Sequence, residues 1–386
     1  MRRLDFRSFP IPDEVLRMLS ANLPNGVLCP GLRALDWTIY PYSLPFYRLF
    51  LSPHLTHLSL FYPPFGVEVS DEVLSGLTSV ILALEPLHLR SLSLRWHIPT
   101  EASRRLESAV SSAVLRCGPS LTTLSVSTSL LDAAAQHITH LPKLTFWYAM
   151  NGLPKGSNFS LSNAFPQLEY LELVTEESLE WIPLLGAIAR HTPSGQPSSH
   201  GPGQSLITLN SLAYVRIDAA FMSPIAEFHG LVHLTLGSSC SSTGGCAFNL
   251  TDDDMTRIAT GLPRLRHARF GRVCSANSCR TTVSSLVSLS TRCRELGFLE
   301  VHFNTINLRD DLESVLADPR PDNLPPFPER GHFSLSLGDA PISITGEDVG
   351  PVLTGFITIF GPLYQIYGRT DGQRGLSSRL SAMRAT

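Results

Sequence analysis

One six-residue pattern, L-x-x-L-x-L, recurs about twelve times along the chain, and no other feature limits the fold as strongly. Leu55–Leu60, Leu89–Leu94, Leu168–Leu173 and Leu231–Leu236 are its clearest copies. A unit this short cannot close a core by itself. It buries its apolar face only against the units before and after it, so the pattern implies a solenoid with function on an extended surface.

The copies centre on Leu4, Leu35, Leu58, Leu92, Leu124, Leu144, Leu171, Val215, Leu234, Ala268, Leu299 and Leu335, at intervals of 31, 23, 34, 32, 20, 27, 44, 19, 34, 31 and 36. Two residues after every centre stands an apolar residue, from Phe6 and Trp37 through Phe146 and Ile217 to Val301 and Leu337. The residue between is always polar, as in Asp5, Ser59, Glu172, Arg216, Arg269 and Glu300. Strict in-out alternation marks a strand with one buried face. The first leucine is replaced by Met1 in the first copy and by His332 in the last.

Longer intervals leave room for a helix. Apolar spacing predicts one from Asp71 to Leu84, one over Glu101–Cys117 and one over Thr281–Cys293, and Thr251 followed by three aspartates reads as an N-cap with an acidic first turn. Pro86, Pro119, Pro142, Pro166 and Pro263 stop helices before strands. The shortest intervals leave space for little more than a turn. The expected architecture is therefore α/β: a leucine-rich-repeat solenoid of about 12 irregular repeats, a curved horseshoe with a parallel sheet on its concave side and helices or loops on its convex side. It is expected to span residues 1–368. A Pro/Ser/Gly-rich flexible loop is expected at 192–204 and a polar, disordered tail at 369–386.

Charged residues are 16% of the 386, against roughly 25% in ordinary domains, and the net charge is -3. That balance speaks against nucleic acid as a partner. Seven cysteines, an odd number, with no apolar leader at the N-terminus point to reduced thiols inside the cell, in cytoplasm or nucleus. Val349–Tyr367 carries no charge and approaches the length of a membrane span. It holds several prolines and glycines and sits one unit after Leu337, so it is read as the helix of a last repeat, and no membrane partner is expected.

No phosphate loop, zinc-protease motif, nucleophile elbow or paired CxxC is present; neither catalysis nor a cofactor is expected. Cys240, Cys246, Cys274 and Cys279, with His233 and His267, fit no standard zinc spacing and are read as ordinary thiols. Cys117 and Cys293 fall at helix-to-strand corners, where a small apolar side chain suits burial. His57, His233, His267 and His302 fall on the expected concave face, as solvated polar residues or as part of a recognition surface. The candidates for that surface are Arg95, Trp147, Tyr170, Glu172, Tyr214, Arg216, Asp218, His233, His267, Arg269, Phe298 and Glu300. Aromatics and arginine are enriched at protein interfaces, and Trp147, Tyr170 and Tyr214 are expected to share one patch. The alternative is that each packs under a loop or covers a neighbouring strand.

Two corner segments, Leu115–Leu121 and Thr291–Leu296, and the closing Leu335–Ile342 resemble fungal F-box/leucine-rich-repeat proteins. That resemblance covers nearly the whole chain and fits the architecture better than it fits one family. It implies an F-box that docks on the adaptor of a cullin-RING ubiquitin ligase, and repeats that hold the substrate. Ile11–Leu19 has the outline of an F-box opening, yet the next repeat begins at Leu32 and leaves no space for three helices. Met1–Phe6 is itself a repeat strand, so the chain is expected to start inside the solenoid. The functional expectation is a non-enzymatic interaction module that captures a protein on its concave face, in a ligase receptor. An F-box-less relic and a stand-alone adaptor are the alternatives.

Overall fold

Alternating strands need neighbours on both edges. In the computed structural model they find them in parallel ladders. The structure describes residues 3–6, 11–23, 26–62, 69–84, 87–96, 98, 100–150, 165, 167–174, 181–189, 206–211, 217–237, 248–270, 280–301, 308–317, 333–336, 349–360 and 363–367. Two compact units divide the chain, Met1–Val174 and Thr175–Thr386.

In the first unit the strands are β1 (Arg3–Phe6), β2 (Ala34–Thr38), β3 (His57–Tyr62), β4 (Ser91–Trp96), β5 (Thr123–Val126), β6 (Phe146–Met150) and β7 (Tyr170–Val174). Each pairs in parallel with the next. Leu4, Leu35, Leu58, Leu92, Leu124, Trp147 and Leu171 stand in register as one buried ladder. Trp37, Leu60, Leu94, Val126, Ala149 and Leu173 form a second on the same face. Each fully buried leucine contributes about 1.5–3 kcal/mol. The helices α1 (Asp13–Asn22), α2 (Asp71–Leu82), α3 (Thr100–Cys117) and α4 (Asp132–Thr139) supply the opposing layer, with Leu16, Leu77, Val110 and Ile138 buried. Between β2 and β3 runs a 3₁₀ segment, Pro41–Leu49; Pro45 inside it has no N–H to give an α-helix. Thr56, Thr122 and Thr145, each just ahead of its strand, donate their hydroxyls to a carbonyl of the preceding repeat at 3.1, 3.0 and 3.2 Å.

The second unit holds β8 (Thr208–Ser211), β10 (His233–Leu236), β12 (His267–Phe270), β13 (Phe298–Val301), β14 (Phe333–Ser336) and β15 (Leu363–Tyr367) in one parallel order. Leu209, Leu234, Ala268, Leu299, Leu335 and Ile366 are its ladder. A separate pair, β9 (Ile217–Asp218) and β11 (Phe248–Asn249), lies outside that sheet. Its helices are α5 (Trp181–Ala189), α6 (Ala219–Ile225), α7 (Asp252–Gly261), α8 (Val283–Arg292), α9 (Leu308–Ala317) and α10 (Val349–Phe360). Cys293 is buried just past α8, its Sγ 3.3 Å from the carbonyl oxygen of Leu262 in the preceding repeat.

Strand, helix, parallel strand, repeated with leucines in register, is the α/β repeat-solenoid architecture expected from the sequence. Four details differ. The sixth centre is Trp147, not Leu144: Leu144 is the first leucine of its repeat and is buried beneath the strand. The eighth centre is Leu209, not Val215; Ile217, two residues on, belongs to the small second sheet. The intervals read as 44 and 19 thereby become 38 and 25, and the short gaps accommodate the helices α4 and α6 rather than bare turns. Val349–Tyr367 is not one helix but α10 followed by β15, a further strand of the second unit's sheet. No described helix is long and apolar enough to cross a membrane. Ile11–Leu19 contributes α1, the helix of the first repeat, between β1 and β2. The segments 192–204 and 369–386 lie outside the described residues.

Candidate interaction surface

Where one strand face packs on helices, the residues between the ladder positions must point the other way. In the first unit that open face carries small hydroxyls over β3 to β5, Ser59, Ser91, Ser93, Thr123 and Ser125, alongside His57, Phe61 and Arg95, and aromatic rings at β6 and β7. Phe146 and Tyr170 stand opposite each other in register and stack with centroids 4.4 Å apart and planes 11° from parallel. Beside them, Tyr148 is in register with Ser125 on one strand and Glu172 on the other. The guanidinium of Arg95 lies over the Tyr148 ring, 4.7 Å from its centroid, and its Nε donates to Ser125 Oγ at 2.9 Å. The Tyr170 hydroxyl donates to Glu172 Oε2 at 2.9 Å. Burial pushes the Tyr148 phenol pKa up; Arg95 pulls it down and Glu172 adds to the rise. A cation, a phenol and a carboxylate therefore follow one another across β4, β6 and β7.

The second unit builds its open face from other residue types. His233, His267 and Phe298 share one register position on β10, β12 and β13. His267 stacks on Phe298 at 4.3 Å with planes 7° apart, and its ring centroid is 5.9 Å from that of His233. Next to this row Arg269 Nε donates to Glu300 Oε2 at 2.7 Å. Burial depresses the His267 pKa, and the neighbouring His233 and Arg269 depress it further.

Of the residues expected on the recognition face, Arg95, Tyr170 and Glu172 meet on the first unit, and His233, His267, Arg269, Phe298 and Glu300 meet on the second. Trp147 is corrected: it is 1% exposed, in register with Leu124 and Leu171 and stacked on Phe165 at 5.1 Å. Asp218 is corrected too; it sits in the small β9/β11 pair and caps α6, accepting from the Phe221 N–H at 3.1 Å. Tyr214, Arg216 and His302 lie outside the described residues, as do Cys240, Cys246, Cys274 and Cys279; of the patch expected from Trp147, Tyr170 and Tyr214, Tyr170 is the described member on the open face. His57 is exposed on the open face of β3, its Nδ1 2.9 Å from Thr56 Oγ1. Sequence reasoning passed over Phe146 and Tyr148. The signal was present: Leu144-Thr145-Phe146-Trp147-Tyr148-Ala149 also satisfies the repeat, and in that register both rings point outward.

No family model and no curated protein matches the chain. Among solved structures it is similar to a chain from the crystal structure of the Rad7 and Elc1 complex in yeast, with 14% identity, 98% of this chain and 79% of that chain covered, and a TM-score of 0.42.

Proposed function

We propose that this protein is a non-enzymatic interaction module that holds a protein partner on the open face of its repeat strands. One observation carries the reading. On that face, where short polar side chains would be enough for solubility, both units instead cluster aromatic rings with charged side chains fixed beside them. Arg95, Tyr148, Phe146, Tyr170 and Glu172 make one cluster, and His233, His267, Phe298, Arg269 and Glu300 the other. Large rigid rings contribute contact area at little entropic cost, and the residue types are those that dominate binding energy at protein interfaces. The resemblance to F-box/leucine-rich-repeat proteins gives this module a context, substrate recognition for ubiquitination inside the cell. A stand-alone adaptor is the second reading; Ile11–Leu19 itself serves as the helix of a repeat.

Site-specific photo-crosslinking in cells tests the module. A crosslinker at Ser93, on the open face of β4, is expected to capture protein that a crosslinker at Ser75, exposed on α2, does not. Tyr148→Ala with Tyr170→Ala is expected to abolish the capture. Equal capture from α2, or capture indifferent to the two tyrosines, would refute the reading.

A further inference from the structure

We propose that the open face of the first unit takes an acidic side chain, aspartate or glutamate, of its protein partner, and that Arg95 is the anchor. The inference rests on the interaction reading above and adds the chemistry of the partner.

The described strands carry three arginines, Arg3, Arg95 and Arg269, and no lysine, and all three arginines point to the open face. Two are matched within the fold. Arg3 Nη2 donates to Asp36 Oδ2 at 2.8 Å, and Arg269 Nε donates to Glu300 Oε2 at 2.7 Å. Arg95 differs. Its contacts among the described residues are the Nε bond to Ser125 and the Tyr148 ring, both uncharged, and its side chain is exposed. These two contacts hold the side chain in place and leave its charge uncompensated by any described carboxylate.

The two contacts define the geometry. Nε is occupied from one edge and Tyr148 covers one face, which leaves the edge formed by the two Nη groups. That edge is the fork that meets a carboxylate with two parallel hydrogen bonds. Because the long side chain is already ordered by the fold, binding loses less conformational entropy than it would with a mobile arginine. Ser91, Ser93 and Thr123, on β4 and β5, are small and half-exposed, so these positions of the two strands place no bulky side chain on the open face. On the far side, the Phe146–Tyr170 stack offers apolar ground to a neighbouring partner residue. The charge balance selects a carboxylate: one guanidinium is matched by a single negative charge, whereas a doubly charged phosphate would face one cation with Glu172 just beyond Tyr148.

Selection from a phage-displayed random peptide library on the purified full chain tests this, with affinities of synthesised peptides read by fluorescence anisotropy. Selected peptides are expected to share an acidic residue. Arg95→Gln is expected to weaken them by about tenfold or more, the effect of losing one charged, partly desolvated contact. Arg95→Glu is expected to weaken them further, and Arg95→Lys to retain part of the affinity. Replacing the peptide glutamate by glutamine is expected to cost affinity against the native chain and nothing further against Arg95→Gln. An unchanged melting temperature for Arg95→Gln excludes a folding effect. Peptides that lose binding with Tyr148→Ala and Tyr170→Ala but not with Arg95→Gln would leave the interaction surface standing and overturn the Arg95 assignment. A library that yields no peptide sensitive to either set overturns both. Tighter binding when phosphoserine replaces the glutamate overturns the carboxylate in favour of phosphate.

Discussion

Phe146, Trp147 and Tyr148 are consecutive aromatic residues with two opposite fates. Trp147 fills a ladder position held by leucine in every other strand of the first unit, between Leu124 and Leu171, while its neighbours face outward. Trp147→Ala is therefore expected to cost about 3–5 kcal/mol, the usual range for an emptied aromatic core site, and Tyr148→Ala only about 1 kcal/mol; urea unfolding of both variants checks the contrast. An account that placed Trp147 on the surface would expect the two to be alike. The misreading has a physical origin. Leu141, Leu144 and Phe146 satisfy the repeat spacing as well as Leu144, Trp147 and Ala149 do, and Leu141 and Leu144 are both buried. Hydrophobicity alone does not separate these registers, which differ by three residues, an odd offset that exchanges the two strand faces; the pairing of Trp147 with its neighbours does. His267 gives a second test at this scale. Burial against Phe298, with His233 and Arg269 near, disfavours its charged form, so its imidazole is expected to titrate below the ordinary value of about 6.5, as read by NMR. A midpoint at or above that value would contradict the stacked, half-buried placement.

Elements joined across repeats carry their own predictions. Gly261 ends α7 where a Cβ would stand 2.0 Å from the backbone oxygen of Ala226, and His229 Nδ1 lies 2.7 Å from the Gly261 carbonyl. Gly261→Ala should help an isolated helix by about 1 kcal/mol. Here it is expected to destabilise the protein by about 1–3 kcal/mol, because backbone must shift to admit the methyl group; thermal unfolding decides the sign. Asp252 is likewise shared. It opens α7, yet its carboxylate accepts from the Thr282 N–H and hydroxyl, both at 2.7 Å, and from Ser285 Oγ at the start of α8. Asp252→Ala is expected to cost about 1–3 kcal/mol and to speed amide exchange in the first turn of α8 rather than α7. The helices α2, α7 and α8 were legible because sequence signals coincide there, namely a Ser or Thr cap and apolar residues at helical spacing. The helices α4 and α6 were hidden. Leu131 caps α4 without a side-chain acceptor, Pro224 lies inside α6, and both occupy intervals that a misplaced centre had shortened.

At the scale of the whole molecule, stability follows the half-buried histidines. Burial lowers the pKa of His137, with His140 adding to it, and lowers that of His267. The folded protein then binds fewer protons than the unfolded chain below about pH 6.5, so this contribution is complete above that pH and lost as the pH falls through the depressed values. The denaturant midpoint is expected to fall between about pH 7 and pH 5.5, and to fall less in a His137→Gln, His267→Gln variant. Glu107 and Asp311, raised by burial, act in the opposite sense, adding stability as the pH falls through their raised values. The architecture was legible because a repeat states its register many times over, so one misplaced centre leaves the others intact. A surface cluster is stated once: Arg95 meets Tyr148 across β4, β5 and β6, a juxtaposition set by register and not by spacing along the chain.

The central claim is that each repeat strand keeps one face for the core and one for partners. Hydroxyl-radical footprinting of the native chain, read by mass spectrometry at single residues along β6 and β7, tests it most directly. The account predicts oxidation of Tyr148 and Tyr170 with Trp147 protected until the protein unfolds. Ready oxidation of Trp147 in the folded chain, with Tyr148 protected, would reverse the two faces and contradict it.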